Sequence, residues 1–228
     1  MVAEDSQRRI LFVGSGSAIF REIEKLATMD DFTVFSTYRE RKYGDKNQRD
    51  YRLNLIDKIE IESVIKNFES LKFDRIIVST GEMSLGIQDN RQSLDDYYTA
   101  HLINTNYLIQ KLLPTMKDVA NLIYISSIAA TKSSFDANYA AVKAGVSAFI
   151  RSQSRFVGDR QSIFSVAPSL LSGTRMFEDM EQATLNAHNV RNHGRISTVY
   201  EFAEFLWSLK PGSSRIINGH SISAGNEY

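Results

Sequence analysis

Apolar residues along this chain fall into two alternating patterns. Short continuous runs, rich in β-branched and aromatic residues, are closed by glycine, serine or proline, and longer stretches between them carry apolar residues three or four apart. Ile10 to Val13 is the first run. It ends in Gly14-Ser15-Gly16-Ser17, after which Ile19, Ile23 and Leu26 recur at helical spacing. Phe32 to Thr37 predicts a second strand and, beyond the polar loop Gly44 to Asp50, Tyr51 to Leu55 predicts a short third. Ile56 to Leu71, with Ile61, Val64, Ile65 and Phe68, predicts a helix, and Phe73 to Ser79 a fourth strand closed by Thr80-Gly81. Leu94 to Met116 predicts one long helix containing Asn104. Val119 to Ser126 predicts a fifth strand, Asp136 to Phe156 the helix after it, and Ile163 to Ala167 a sixth strand ending at Pro168. Thr174 to Arg195 reads as polar and irregular. Thr198 to Leu209 predicts a helix with Phe202, Phe205 and Leu206 on one side, and Ser214 to Ile217 a last strand. Strands alternate with helices over connections too long for hairpins, which implies a parallel sheet covered on both faces. The expected fold class is therefore α/β, a doubly wound parallel sheet of about seven strands.

Composition narrows the function classes. The chain has 228 residues, 43% apolar and 24% charged, with no internal repeat, low-complexity tract or linker, so residues 1–228 are expected to form a single domain. Lys plus Arg and Asp plus Glu both total 27, which leaves no global field to attract nucleic acid or an anionic membrane. The absence of cysteine excludes disulfides, thiol nucleophiles and Cys-ligated metals, and suits a reducing compartment. The polar start MVAEDSQRR and the short run after it offer neither a signal-peptide core nor a membrane span, so a cytoplasmic protein is expected.

The chemistry concentrates between Asn121 and Phe149. A buried strand, Leu122 to Ile125, ends in Ser126-Ser127, and the helix beyond carries Tyr139 and Lys143 four residues apart, on one face. A phenol, an ammonium and a serine hydroxyl so placed could donate a proton to a carbonyl oxygen. The Tyr-x-x-x-Lys spacing is common and occurs three times here, at Tyr38/Lys42, Tyr107/Lys111 and Tyr139/Lys143. Context separates the third: strand-ending serines precede it, and the small residues Ala140, Ala141, Ala144 and Gly145 allow close backbone approach.

The other half of such a reaction points to the N-terminus. Strand, glycine turn and helix open a nucleotide-binding unit, in which backbone N–H groups of the turn and the helix N-terminus face a pyrophosphate. Past the second strand, a carboxylate would accept from a ribose 2′-hydroxyl and select NAD, whereas a guanidinium accommodates a 2′-phosphate and selects NADP. The segment Tyr38-Arg39-Glu40-Arg41-Lys42 offers Arg39, with no Asp or Glu in the strand end, so NADP(H) is preferred and NAD(H) possible. His188 and His193 have no metal-site spacing, and no metal is expected.

Taken together these motifs resemble the short-chain dehydrogenase/reductase family, over nearly the whole chain. Ser126-Ser127, the YAAVK segment Tyr139 to Lys143, and Asn104 within INTNYLIQKLLP match its catalytic tetrad. Val166 to Met176 resembles its proline-glycine-x-x-x-threonine region, GRISTVYEFAEFLWSL from Gly194 its late helix, and INGHSISAG its closing strand. The resemblance implies a Rossmann fold and an oxidoreductase that transfers a hydride between NADP(H) and a small-molecule carbonyl or secondary alcohol. It implies Tyr139 as general acid or base and Lys143 as the cation that lowers the phenol's pKa and binds the nicotinamide ribose. Ser127 would polarise the carbonyl, and Asn104 would support a proton-relaying water. The family's usual interval to the tyrosine would select Ser126. Adjacent strand residues point to opposite faces, and Ser127 is preferred, with a loop one residue shorter.

Cofactor contacts implied by the resemblance are Gly14, Ser15, Gly16, Ser17, Ala18, Ile19, Tyr38, Arg39, Asn54, Leu55, Ser79, Thr80, Gly81, Pro168, Ser169, Leu171 and Thr174, besides Tyr139 and Lys143. Ala18 and Phe20 stand where the family has its later two glycines, and Ser79-Thr80-Gly81 replaces an asparagine-alanine-glycine stretch. Asn54 stands where an aspartate usually binds the adenine amino group. The substrate is expected at residues 169–195, with Met176, Phe177 and Met180 as an apolar lid or an ordinary amphipathic helix. The helices holding Asn104 and Tyr139 imply a homodimer or homotetramer. Two other readings are a non-catalytic dinucleotide sensor of the same fold and the epimerase/dehydratase branch. That branch usually adds a C-terminal substrate domain, for which the roughly 50 residues after Thr174 are too few.

Overall fold

Residues 7–40, 49–84, 91–132, 134–191 and 195–225 are described by the computed structural model. In chain order they form β1 (Arg9–Val13), α1 (Ala18–Met29), β2 (Thr33–Tyr38), β3 (Asp50–Arg52), α2 (Lys58–Phe68), β4 (Phe73–Val78), α3 (Arg91–Tyr98), α4 (Thr105–Leu112), β5 (Met116–Ile125), α5 (Ala137–Gln153), β6 (Gln161–Pro168), α6 (Arg175–Glu178), α7 (Gln182–Arg191), α8 (Val199–Ser208) and β7 (Ser221–Ala224). The strands make one sheet in the order β3-β2-β1-β4-β5-β6-β7, parallel throughout. The chain winds outward from β1 to β3, then returns across β1 to β4. That reversal opens a crevice at the C-terminal ends of β1 and β4, where open α/β sheets bind ligands.

Continuous apolar runs are required because both faces of each central strand are covered, and successive side chains serve opposite faces. Leu11, Val13, Ile76, Val78, Leu122 and Tyr124 pack with Val64, Phe68, Leu108, Ile109, Val146 and Ile150 of α2, α4 and α5. Ile10, Phe12, Ile77, Ile123 and Ile125 face the other way, onto Ile19, Phe20 and Ile23 of α1 and Phe202, Leu206 and Trp207 of α8. Arg75, 1% exposed, sits in β4 with its ring-side neighbour Trp207 4.6 Å away and donates to the carbonyls of Leu206, Trp207 and Leu209. A guanidinium thus closes the negative end of α8, where orphan carbonyls need donors.

Three elements differ from the sequence pattern. The long helix read from Leu94 to Met116 is composite: a π-helical turn, Thr99–Asn104, separates α3 from α4, and a 3₁₀ turn, Leu113–Thr115, ends it. Thr105 Oγ1 donates to the Ala100 carbonyl (3.1 Å), a bond that suits the wider π turn, while Pro114 has no N–H with which to continue an α-helix. β5 consequently starts earlier, at Met116. Ser213–Ile217 is a 3₁₀ turn rather than a strand. It lies between Gly212 and Gly219, both at positive φ, and leaves Ile216 85% exposed, so the closing strand is β7 instead. The stretch read as irregular after Thr174 contains the short helix α6 and the solvent-facing α7.

Phe20 occupies no ligand-facing position. It is 1% exposed and meets Phe12 edge-on at 5.1 Å, inside the α1–α8 core. Phe20→Ala should cost about 3–5 kcal/mol of unfolding free energy and Phe20→Leu less than about 1.5 kcal/mol, read from urea denaturation; near-neutral Phe20→Ala would contradict this placement.

Candidate active site

Four chain segments converge at the C-terminal edge of β4 and β5. The β4–β5 ladder ends at the Val78–Tyr124 pair, and just beyond it the strands carry the carbonyls of Thr80 and Ile125. Lys143, 3% exposed on α5, donates to both, at 2.6 and 2.9 Å, and lies 5.0 Å from the Tyr124 ring centroid. Its ammonium is 5.6 Å from the ring centroid of Tyr139, one helical turn earlier. The helix starts where it does because Asp136, fully buried, caps it by accepting from the Tyr139 N–H at 2.9 Å. The same carboxylate accepts from the Ser84 N–H (2.6 Å) and Ser84 Oγ (2.5 Å), which ties the loop after β4 to the first turn of α5.

The two serines part company as alternation demands. Ser126 Oγ shares a 2.8 Å hydrogen bond with Ser147 Oγ and is 2% exposed, locked behind α5. Ser127 opens a 3₁₀ turn, accepting from the Ala129 N–H, and its hydroxyl lies beside the Tyr139 phenol. Burial pushes that phenol up to about 12; the Ser127 hydroxyl draws it back, and the Asp136 carboxylate adds to the rise. Burial also pulls the Lys143 ammonium down to about 7. The sequence reading had the cation lowering the phenol's pKa. In the structure desolvation is the largest cause on both groups, because both are enclosed and the ammonium's protons are turned to carbonyls.

On the other side of the crevice stands the turn between β1 and α1. Gly14 has φ +99°, and a Cβ there would lie 2.2 Å from the Ser79 carbonyl oxygen, so only glycine lets β1 pass β4 at this point. A Cβ on Gly16 would meet nothing within 4 Å. Ser17 caps α1, accepting from the Ile19 N–H. An open backbone cradle leading into a helix N-terminus is a ready anion site, and these residues fit the diphosphate of a dinucleotide. Gly81, at φ +96°, keeps the space beside Lys143, where a Cβ would come within 3.3 Å of Nζ.

Comparison with known proteins agrees with this architecture. The family model described as enoyl-(acyl carrier protein) reductase matches residues 45–225. The chain belongs to the short-chain dehydrogenase/reductase family. The matched range begins after the Gly14–Ser17 turn. A short-chain dehydrogenase/reductase from Serratia marcescens superposes with a TM-score of 0.82 at 18% identity, over 98% of this chain and 99% of that one. BdcA in complex with NADPH gives 0.81 at 17% identity, over 96% and 93%. The angucycline C-6 ketoreductase LanV with bound NADP gives 0.81 at 18%, over 96% and 95%. No curated protein is similar enough in sequence to be matched.

The other positions singled out in this short-chain dehydrogenase/reductase are placed as follows. Asn104 ends the π turn, and its Nδ2 donates to the Leu55 carbonyl at 2.6 Å, which joins α4 to the segment after β3. Asn54 Oδ1 accepts from the Ile56 N–H (3.2 Å), so the acceptor expected to meet adenine already serves the chain. Tyr38 ends β2, and Arg39 after it pairs with Glu82 and Glu40. Pro168 ends β6, Ser169 N–H donates to the Ala224 carbonyl, Leu171 is in the α8 core, and Thr174 caps α6. Met176, Phe177 and Met180 are half-buried. Tyr107 and Lys111 form a surface pair, the phenol donating to Glu62 at 2.6 Å. Arg41, Lys42, His193 and Gly194 lie outside the described residues. Among those described, no group of His, Asp and Glu could hold a metal, and no helix is long and apolar enough to cross a membrane.

Sequence reasoning missed Asp136, Ser84, Tyr97 and Glu82. Only Asp136 carried a local signal, as an acidic residue three before Tyr139 at a helix start.

The buried lysine makes stability depend on pH with a definite sign. Its folded pKa, about 7, lies below the ordinary 10.5, so the unfolded chain holds the proton more firmly in between. This contribution to stability is fully present above pH 10.5 and is lost as pH falls through about 7. Between about pH 6.5 and about pH 9.5 the wild-type melting temperature should rise relative to that of Lys143→Met; parallel calorimetric curves would contradict it.

Proposed function

We propose that this protein is an NADP(H)-dependent reductase of a ketone or aldehyde. The observation that carries the reading is the convergence of the Tyr139 phenol, the Ser127 hydroxyl and the buried Lys143 ammonium opposite the open Gly14–Ser17 turn. A nicotinamide dinucleotide, when bound, supplies the hydride. The chain supplies the rest. With a pKa near 12, Tyr139 stays protonated at neutral pH and is a general acid for a carbonyl oxygen that gains negative charge. Ser127, beside the phenol, would hold that oxygen against it. Lys143, whose ammonium lies 5.6 Å from the Tyr139 ring centroid, would favour the phenolate once the proton has left. Phe20 lies in the core and not in the turn, so the altered glycine motif gives no reason to prefer a protein that only senses the dinucleotide. The half-buried Met176, Phe177 and Met180, within residues 169–195, are the apolar side chains we assign to the substrate side.

Purified protein should oxidise NADPH in the presence of a member of a carbonyl panel, and Tyr139→Phe should lower that rate by about 10²–10⁴ while dinucleotide binding persists. Full activity in the variant would sink the role given to Tyr139. Gly16→Val tests the cradle separately. Because a side chain there meets open space, the melting temperature should stay unchanged while dinucleotide affinity, read by NADPH fluorescence, falls about tenfold or more.

A further inference from the structure

Arg39 directly follows β2 and Glu82 lies in the loop after β4, and both strands pair with β1. The two side chains meet fork to fork, Arg39 Nη1 2.8 Å from Glu82 Oε1 and Nη2 3.4 Å from Oε2, on the side of the crevice where the Gly14–Ser17 turn leaves β1. Glu40 lies 3.0 Å from Nη2 as a second carboxylate. The partners are not equally free to move. The loop after β4 is held at alternate residues: the Thr80 carbonyl by Lys143, the Glu82 carbonyl by the Tyr97 hydroxyl at 2.7 Å, and Ser84 by Asp136. The backbone of Glu82 is therefore fixed, and Arg39 comes to it.

We propose that Glu82 is a specificity-determining residue for the dinucleotide, which occupies the Arg39 guanidinium so that a 2′-phosphate must compete with a carboxylate for the same donors. This rests on reading the crevice as the dinucleotide site. Arg39 alone argues for NADP(H), because a guanidinium fork matches phosphate. Paired with Glu82, it gives up part of that preference, and the carboxylate is itself an acceptor of the kind an unphosphorylated ribose 2′-hydroxyl takes. Both side chains are about half exposed, so the pair is of the weak, salt-screened kind that a phosphate can displace.

Dissociation constants for NADPH and NADH, read by dinucleotide fluorescence, test this in wild type, Glu82→Gln, Arg39→Gln and the double variant. Glu82→Gln should tighten NADPH about fivefold, about 1 kcal/mol, without tightening NADH, and most of that gain should vanish in the Arg39→Gln background. An unchanged NADPH-to-NADH ratio in Glu82→Gln, or a full gain that survives loss of Arg39, overturns the assignment while the dinucleotide reading stands. Failure of wild type to bind either dinucleotide overturns that reading and this inference with it.

Discussion

A single buried ammonium holds this site together. The parallel ladder between β4 and β5 ends at Val78 and Tyr124, and just beyond it two backbone carbonyls turn to a side-chain donor. Lys143 is that donor to Thr80 and Ile125, and in that role fixes α5 against two strand ends at once. Everything near it adjusts to that fit. Gly81 must lack a side chain, Ser147 bonds back to the Lys143 carbonyl and to Ser126, and Asp136 anchors the helix start to Ser84. Desolvation makes a buried cation costly, and its carbonyl partners offset only part of that, which is why the ammonium's pKa falls so far. A site that bears such a cost is a candidate for function rather than for stability.

The fold brings the two halves of the crevice together through strand order. β1 lies between β2 and β4, so the glycine turn after β1 is flanked on one side by Arg39 and on the other by the pinned loop after β4. Lys143 acts on one end of that loop by holding Thr80, and Tyr97 acts on the other by holding Glu82. The loop thus links the proposed proton donor to the proposed adenosine end. A change at either end alters the same short stretch of backbone.

How much of this was legible in the sequence follows from which interactions are local. Strand and helix alternation and the same-face pair Tyr139/Lys143 both come from periodicity, and periodicity is a local property. The π turn at Thr99–Asn104 was not legible, because one extra residue within a helix barely disturbs the apolar pattern on either side. Ser213–Ile217 has a strand's composition, but the positive-φ glycines around it turn the chain before it can pair. Ser126 and Ser127 could be told to face opposite ways, yet which one meets Tyr139 depends on where α5 packs. Glu82 is the plainest case. No acidic residue stands within β2 itself, and besides Glu40, the neighbour of Arg39 in sequence, the assembled sheet delivers a second carboxylate from the loop after β4.

Burial moves the two central groups in opposite directions, and their chemistry follows from that. Both lose the ionised form to desolvation, which sends the phenol up to about 12 and the ammonium down to about 7. The phenol therefore keeps its proton across the neutral range, while the lysine's pKa is drawn down towards neutrality. Where environments push two titratable neighbours apart in this way, the acid is assigned by its environment and not by residue type. Ser127 reinforces the assignment, since its hydroxyl favours the phenolate that forms after the proton is given up and so limits how far burial can raise the pKa. Reduction of a carbonyl needs an acid that holds its proton until charge develops on the oxygen. For the proposed reduction, an enclosed tyrosine beside a serine and a buried lysine meets that need.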